Sequence, residues 1–319
     1  MESQDSSTPP QPNDYIFQLA ATTSFEPGGY GICFAAGASG LFRSNDGGNT
    51  WESAYTSLNT REALPTTAIA LSPDFYHEPT IFAGLSGAIL HSYDGGRSWL
   101  RSRLPTPPPA ISALAISPNF MEDGIIFAGT NEDGVLVSND RGKNWVSWNF
   151  GLLDLNILCL AVSPDFATDE ALFAGAESGL FYSTNGGRAW KEVSLPFGFD
   201  AILSLAISPN FAENNMLFAG TESNGLLISR DRGKSWLHAA GSTSEAPVNQ
   251  ILLAHDFPTR QEVLILHGGT LQVSKDGGKT WKPWRAKKLG QGNVTAILVH
   301  DGFGAGVLVG FEDGRTAQI

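Results

Sequence analysis

Positive charge is scarce, and so is charge of any kind. Lys and Arg number 20 against 32 Asp and Glu, giving a formal net charge of −12 and a pI near 4.9, and only 16% of the chain is charged. Binding to nucleic acid or to an anionic membrane surface calls for a net basic footprint, so neither is expected as a partner. Cysteine is nearly absent. Cys33 and Cys159 are too few for a disulfide framework in a chain this long and read as two small buried apolar side chains in a reducing compartment. No run of eighteen apolar residues occurs, so no inserted helix is expected. Residues 1–14 hold neither a basic stretch nor an apolar core, so no export signal is expected there and the chain reads as cytoplasmic.

Glycine, by contrast, is abundant at 36 residues in a chain that is 42% apolar, which suits many short strands joined by tight turns. Much of that glycine sits in one eight-residue turn whose clearest copy is Ser92-Tyr93-Asp94-Gly95-Gly96-Arg97-Ser98-Trp99. Five further copies run from Ser44 to Trp51, Ser138 to Trp145, Ser183 to Trp190, Ser229 to Trp236 and Ser274 to Trp281. Successive serines lie 48, 46, 45, 46 and 45 residues apart, a period that means arrayed supersecondary units, none able to bury its apolar faces alone.

The residue types follow from the turn. A short carboxylate at the third position (Asp46, Asp94, Asp140, Asp231, Asp276) accepts bonds from nearby backbone N–H groups, and glycine supplies the positive φ of a tight reversal. The closing Trp51, Trp99, Trp145, Trp190, Trp236 and Trp281 give each unit a large apolar plate. Asn185 replaces Asp in the fourth copy, and Arg141 and Arg232 replace the first glycine in the third and fifth. A turn tolerates these changes better than a calcium loop, which needs several more oxygens, so these positions read as structural, with no metal and no cofactor expected.

This Ser-x-Asp-x-Gly-x-x-Trp pattern resembles the Asp-box, or BNR repeat, of sialidases, sortilin-type receptors, xyloglucan-cleaving hydrolases and the photosystem II assembly-factor group. The resemblance covers nearly the whole chain. It implies a β-propeller in which each box joins the third and fourth strands of a blade, on the face opposite the usual binding face. It does not imply one function, because these relatives do unrelated things.

The rest of the chain supplies the other strands. First strands run into Ser-Pro-Asp/Asn-Phe, as at Phe75, Phe120, Phe166 and Phe211, where proline removes a ladder donor. Second strands carry Phe-Ala-Gly, at 82–84, 127–129, 173–175 and 218–220, and third strands lead into the boxes. First strands number seven when 16–25, ending at Phe25, 248–257 and 294–303 are included, and a seventh second and third strand close the chain at 307–310 and 316–319. The expected fold is therefore all-β: one seven-bladed propeller over 15–319, preceded by a polar segment, 1–14. Counting residues between landmarks puts a missing seventh box at the two chain ends, which leaves 2–7 as a candidate fourth strand for blade seven.

Candidate binding residues come from the loops opposite the boxes. They are Glu132 and Asp133, Glu177 and Glu222 between second and third strands, and Trp148, Trp284 and Arg285 between units. Glu312 with Asp313, and Phe150, Phe197 and Phe199, belong to the same two classes. Carboxylates beside exposed aromatics suit a basic peptide or a sugar, whereas the bland reading is a solvated rim. A sialidase site would need an arginine triad and a tyrosine nucleophile, and no tyrosine stands beside an arginine cluster. His255-Asp256 and His300-Asp301 occupy equivalent places and would make a metal set only if adjacent. Lys275, Lys279, Lys282, Arg285, Lys287 and Lys288 against Asp276 make a basic rim stripe. The resulting expectation is a non-enzymatic, monomeric interaction or scaffold propeller whose partner is a protein or peptide. A carbohydrate-binding or glycoside-cleaving propeller stands as the alternative.

Overall fold

The computed structural model describes residues 12, 14–22, 31–60, 62–239, 246–289, 292–299, 303 and 306–319. Among these, seven antiparallel sheets follow one another along the chain, each built in sequence order. Their first strands are Ile16–Ala21, Thr66–Leu71, Ala110–Ile116, Ile157–Val162, Ile202–Ile207, Val248–Leu253 and Val294–Val299, and neighbouring first strands pack side by side, the seventh against the first. This is the expected seven-bladed propeller, with each box between a third and a fourth strand.

Seven apolar cores account for the arrangement, because each one lies between two blades. One joins Phe34 and Leu41 of blade one to Ile69, Phe75 and Trp99 of blade two. The last joins Ile16, Leu19 and Trp51 of blade one to Ala296 and Leu308 of blade seven. The Phe-Ala-Gly signature serves these seams with both ends. Its phenylalanine meets the next blade's Ser-Pro-x-Phe ring edge to face, as in Phe82 with Phe120 at 5.8 Å and Phe127 with Phe166 at 5.7 Å. Its glycine leaves room for the next first strand. A Cβ on Gly129 would lie 2.6 Å from Ile157 Cγ2, and one on Gly220 would lie 2.4 Å from the Val248 carbonyl oxygen.

A bulge recurs early in every first strand, which re-aims side chains at the neighbouring blade. Gln18 thus grips Ile69 through both backbone groups, Ser204 Oγ donates to the Val248 carbonyl at 2.8 Å, and Gln250 repeats the Gln18 arrangement on Ile297.

Two details differ from the sequence expectation. The phenylalanine after Ser-Pro does not extend the strand but opens a single helical turn, Phe120–Asp123, Phe166–Asp169 and Phe211–Asn214. Asp123 and Asp169 there accept from the hydroxyls of Ser117 and Ser163. Fourth strands begin after the Trp and are only two residues long, as in Glu52–Ser53 and Val146–Ser147. Blade seven shows three strands among the described residues, Val294–Val299, Val307–Phe311 and Thr316–Gln318. The candidate fourth strand at 2–7 lies outside the described residues, as do Phe25, His300 and Asp301.

Candidate functional site

The boxes mark one face. In the second copy, Asp94 Oδ1 accepts from Ser92 Oγ at 2.7 Å, Arg97 N at 3.0 Å and Ser98 N at 2.9 Å, while Oδ2 accepts from Ser98 Oγ at 2.6 Å. Ser92 Oγ in turn accepts from Gly96 N. Partial burial pushes this carboxyl up, but the Ser98, Ser92 and Arg97 bonds hold it at about 2. The Thr50 hydroxyl and amide hold Asp46 at about 2 as well. Asp276 is lowered mainly by Thr280, Asp231 mainly by Ser235, and Asp140 by Asn144 against its burial. The fourth box replaces two residues together. Asn185 Oδ1 accepts from Ser183 Oγ and Ala189 N, and where the other boxes have a hydroxyl or amide donor to the second oxygen, Ala189 has none.

The first glycine position of the box takes φ near +70°, and the arginines that replace it take a similar value, with Arg141 and Arg232 at +63°. Each arginine reaches back to the preceding blade, Arg141 to Glu78 and Arg232 to Asp169. Their guanidinium groups lie over Phe120 and Phe211 at 5.5 and 4.5 Å. The second glycine position must be glycine for space as well as φ, because a Cβ on Gly142 would sit 2.1 Å from the Phe82 ring.

The opposite face carries the loops between second and third strands together with the connections from one blade to the next. Glu132, Asp133, Glu177 and Glu222 are all exposed there. Two aspartates not singled out from the sequence organise these loops. Asp154 accepts from Asn156 N at 2.9 Å and Ser178 N at 2.7 Å. Asp200, buried, accepts from Ser223 N, Asn224 N and Asn224 Nδ2 at 3.1, 3.0 and 2.8 Å. Asp14 does the same for Ser39 N at 3.0 Å. Their signal in the sequence was an Asp two or three residues ahead of a first strand.

The aromatic candidates lie elsewhere. Trp148 is half-buried in the seam between blades three and four, where Arg188 of the fourth box stacks on it at 5.4 Å and its carbonyl accepts from Trp190 Nε1 at 2.8 Å. Trp284 occupies the same step of blade six. Arg285 stacks on it at 4.4 Å and donates to the Phe303 carbonyl of blade seven. These three sit on blade seams and are not gathered with the four carboxylates. In the basic stripe Lys275 pairs with Glu262 at 3.2 Å, and Lys282 and Lys287 are exposed. His255 contacts Arg260, which also holds Asp256. Among the described residues no three His, Cys, Asp or Glu converge where a metal could be held. No helix of the described residues is long and apolar enough to cross a membrane.

The comparisons agree with this architecture. Residues 23–147 match the family described as photosynthesis system II assembly factor YCF48, and residues 272–283 match the BNR/Asp-box repeat. No curated protein matches. Among solved structures, "YCF48 bound to D1 peptide" superposes with a TM-score of 0.71 at 18% identity over 97% of this chain and 93% of that one. YCF48 from Cyanidioschyzon merolae superposes at 0.70 and 16% identity over 98% and 97%. A GH74 xyloglucanase from Xanthomonas campestris gives 0.71 at 15% identity over 96% of this chain but only 52% of its own length. The chain is an Asp-box (BNR-repeat) β-propeller, similar in layout to the photosystem II assembly-factor group.

Proposed function

We propose that this propeller is a non-enzymatic interaction module that holds a protein or peptide partner on the face opposite its Asp-boxes. The observation that carries the reading is a set of large apolar side chains left in water on loops that are held in place. Phe150, Leu153 and Phe199 are 80%, 76% and 79% exposed, beside the loops that Asp154 and Asp200 cap. Exposed anchors on a preorganised scaffold are what a binding surface needs. The resemblance to a YCF48 structure with a bound D1 peptide supports the same class of partner. As part of this proposal the chain acts as a single copy in a reducing, cytoplasmic setting, to which its two free cysteines lend support. The alternative, carbohydrate binding or glycoside cleavage, has behind it only the fold likeness to a xyloglucanase about twice as long.

The test is quantitative capture with crosslinking in a native extract, run beside a panel of fluorogenic glycosides and xyloglucan. Enrichment of a defined protein whose crosslinks map to residues 130–134, 149–156, 176–179, 196–201 or 221–225 is expected. Glycoside turnover, or crosslinks confined to the box face, would overturn the proposal.

A further inference from the structure

The exposed apolar groups and the free carboxylates across blades three to five form a series. The loop of blade three bears Glu132 and Asp133. The connection at 149–156 is tied to that loop, through the Leu155 carbonyl accepting from Gly134 N and Asn156 Oδ1 accepting from Glu132 N. It is tied equally to the loop of blade four, through the Asn156 carbonyl accepting from Glu177 N and Asp154 accepting from Ser178 N. Leu153 therefore stands between Glu132 and Glu177. The connection at 196–201 is tied in the same way to the loop of the blade it leads into. Asp200 caps the blade-five loop and the Ala201 carbonyl accepts from Glu222 N, which puts Phe199 on the connection that leads from blade four to the loop bearing Glu222.

In chain order the strip runs Glu132 and Asp133, then Phe150 and Leu153, then Glu177, then Phe199, then Glu222, so loop acids on each blade alternate with exposed apolar side chains on each connection. The segments 130–134, 149–156, 176–179, 196–202 and 221–225 contain no Lys or Arg. None of Glu132, Asp133, Glu177 and Glu222 enters an ion pair among the described residues. Other blades lack the series. The corresponding loops of blades one, two and six are Ala38-Ser39, Ser86-Gly87 and Gly268-Gly269, and in blade seven Asp313 is paired to Arg315 while Glu312 accepts from Asn293 Nδ2.

We infer that the strip over blades three to five docks an extended cationic segment in which Lys or Arg alternates with large apolar side chains. This rests on the interaction reading above and names its partner class. Charge complementarity selects the occupant, since a basic side chain finds an unpaired carboxylate at each blade while its apolar neighbours cover Leu153 and Phe199. A nucleic acid or an acidic peptide would meet only like charge. The loops need little reordering, because Asp154 and Asp200 already fix them.

The probe is a fluorescein-labelled dodecapeptide of alternating lysine and leucine, read by anisotropy at near-physiological salt, with alternating glutamate-leucine and lysine-serine peptides as counter-probes. The lysine-leucine peptide should bind the full chain, and each counter-probe should bind about tenfold more weakly or less. The triple variant Glu132→Gln, Glu177→Gln, Glu222→Gln should lose about tenfold in affinity, and so should Leu153→Ser with Phe199→Ser. The charge-matched triple Glu122→Gln, Glu192→Gln, Glu213→Gln, on exposed residues away from the strip, should change little. All substituted side chains are exposed, and unchanged melting temperatures verify the fold of each variant. Equal losses from the two charge triples would reduce the effect to net charge and overturn the inference, as would tight binding by the serine counter-probe. If a protein is captured from native extract equally by the wild type and the Glu132/Glu177/Glu222 triple, the strip is refuted while the interaction reading stands. If neither peptide nor protein binds, both fall.

Discussion

Replacing Asp94 by Ala isolates what the box carboxylate does. Arg97 N and Ser98 N face solvent and can turn to water when the acceptor is lost. The Ser92 hydroxyl cannot, because Ser92 is 1% exposed and its proton goes to Asp94 Oδ1. One orphaned buried donor costs about 1–3 kcal/mol, or a fall in melting temperature of about 2 °C per kcal/mol for a chain of this size. Asp94→Asn keeps the Oδ1 acceptor, as Asn185 does in the fourth box, and should cost about 1 kcal/mol or less at neutral pH, the part owed to the Ser98 hydroxyl. The two variants should also differ in acid. A carboxyl whose folded value is held at about 2, below its ordinary value near 4, stabilises the fold above that ordinary value and loses the contribution as pH falls through about 2. Asp94→Asn should flatten the acid limb of stability between about pH 4 and 2. Denaturant titrations at several pH values measure both. An Asp94→Asn variant as damaged as Asp94→Ala, or a large fall in wild-type melting temperature on adding EDTA, would refute the hydrogen-bonding account.

Three further outcomes are expected. Gly129→Ala should destabilise by about 1–3 kcal/mol through overpacking against Ile157, measurable by thermal melting. Arg232→Ala should lose about 1–2 kcal/mol through Asp169 and the Phe211 ring, and a double-mutant cycle with Asp169→Asn should return a coupling energy, whereas zero coupling would deny the seam contact. Burial pushes the thiols of Cys33 and Cys159 up to about 11 and about 12, so both should resist alkylation at pH 8 in the native protein and react fully on denaturation, as followed by mass spectrometry.

What the sequence made legible was local. A box is eight residues whose chemistry is satisfied within itself, so six copies at a steady period disclosed the turn, the strands beside it and the blade count. The seams were not legible, because their partners are one repeat away. Nothing in Phe-Ala-Gly says that Phe82 will press on Gly142 and Phe120, or that Gly129 clears space for Ile157. Arg141 and Arg232 looked like tolerated departures from glycine, yet they clamp adjacent blades. The candidate face was half legible for the same reason. Loop carboxylates are recognisable by their place after a second strand, but an aromatic after a box is equally suited to a seam or to solvent. Trp148 and Trp284 took the seam, while Phe199 and Leu153 stayed out.

Closure of the ring is where counting and structure meet. In the first two seams the following blade's box Trp bonds back across the seam or packs in its core, and blade seven receives the same treatment from the first box. Trp51 Nε1 donates to Thr316 Oγ1 at 3.0 Å, and Gln318 Nε2 donates to the Gly47 carbonyl at 2.7 Å. The ring is thus joined by side chains across the seventh seam, independently of any added strand. The observed fourth strands are two residues long and largely exposed, as in Lys191–Glu192 and Leu100–Arg101, so the position does not demand an apolar sequence. Pro12 lines a shallow cleft with Gly48 and residues 314–318, beside Thr316–Gln318, the outermost strand of blade seven among the described residues. The fourth strand expected at 2–7 lies outside the described residues, and deletion tests that expectation. Deleting residues 1–11 should then remove about two ladder hydrogen bonds, a loss of about 1–3 kcal/mol. Trp51→Ala, which empties the seam core, should cost about 3–5 kcal/mol. An unchanged melting temperature on deletion would leave the edge of blade seven open and refute the pairing, and an unchanged one for Trp51→Ala would refute closure through the first box.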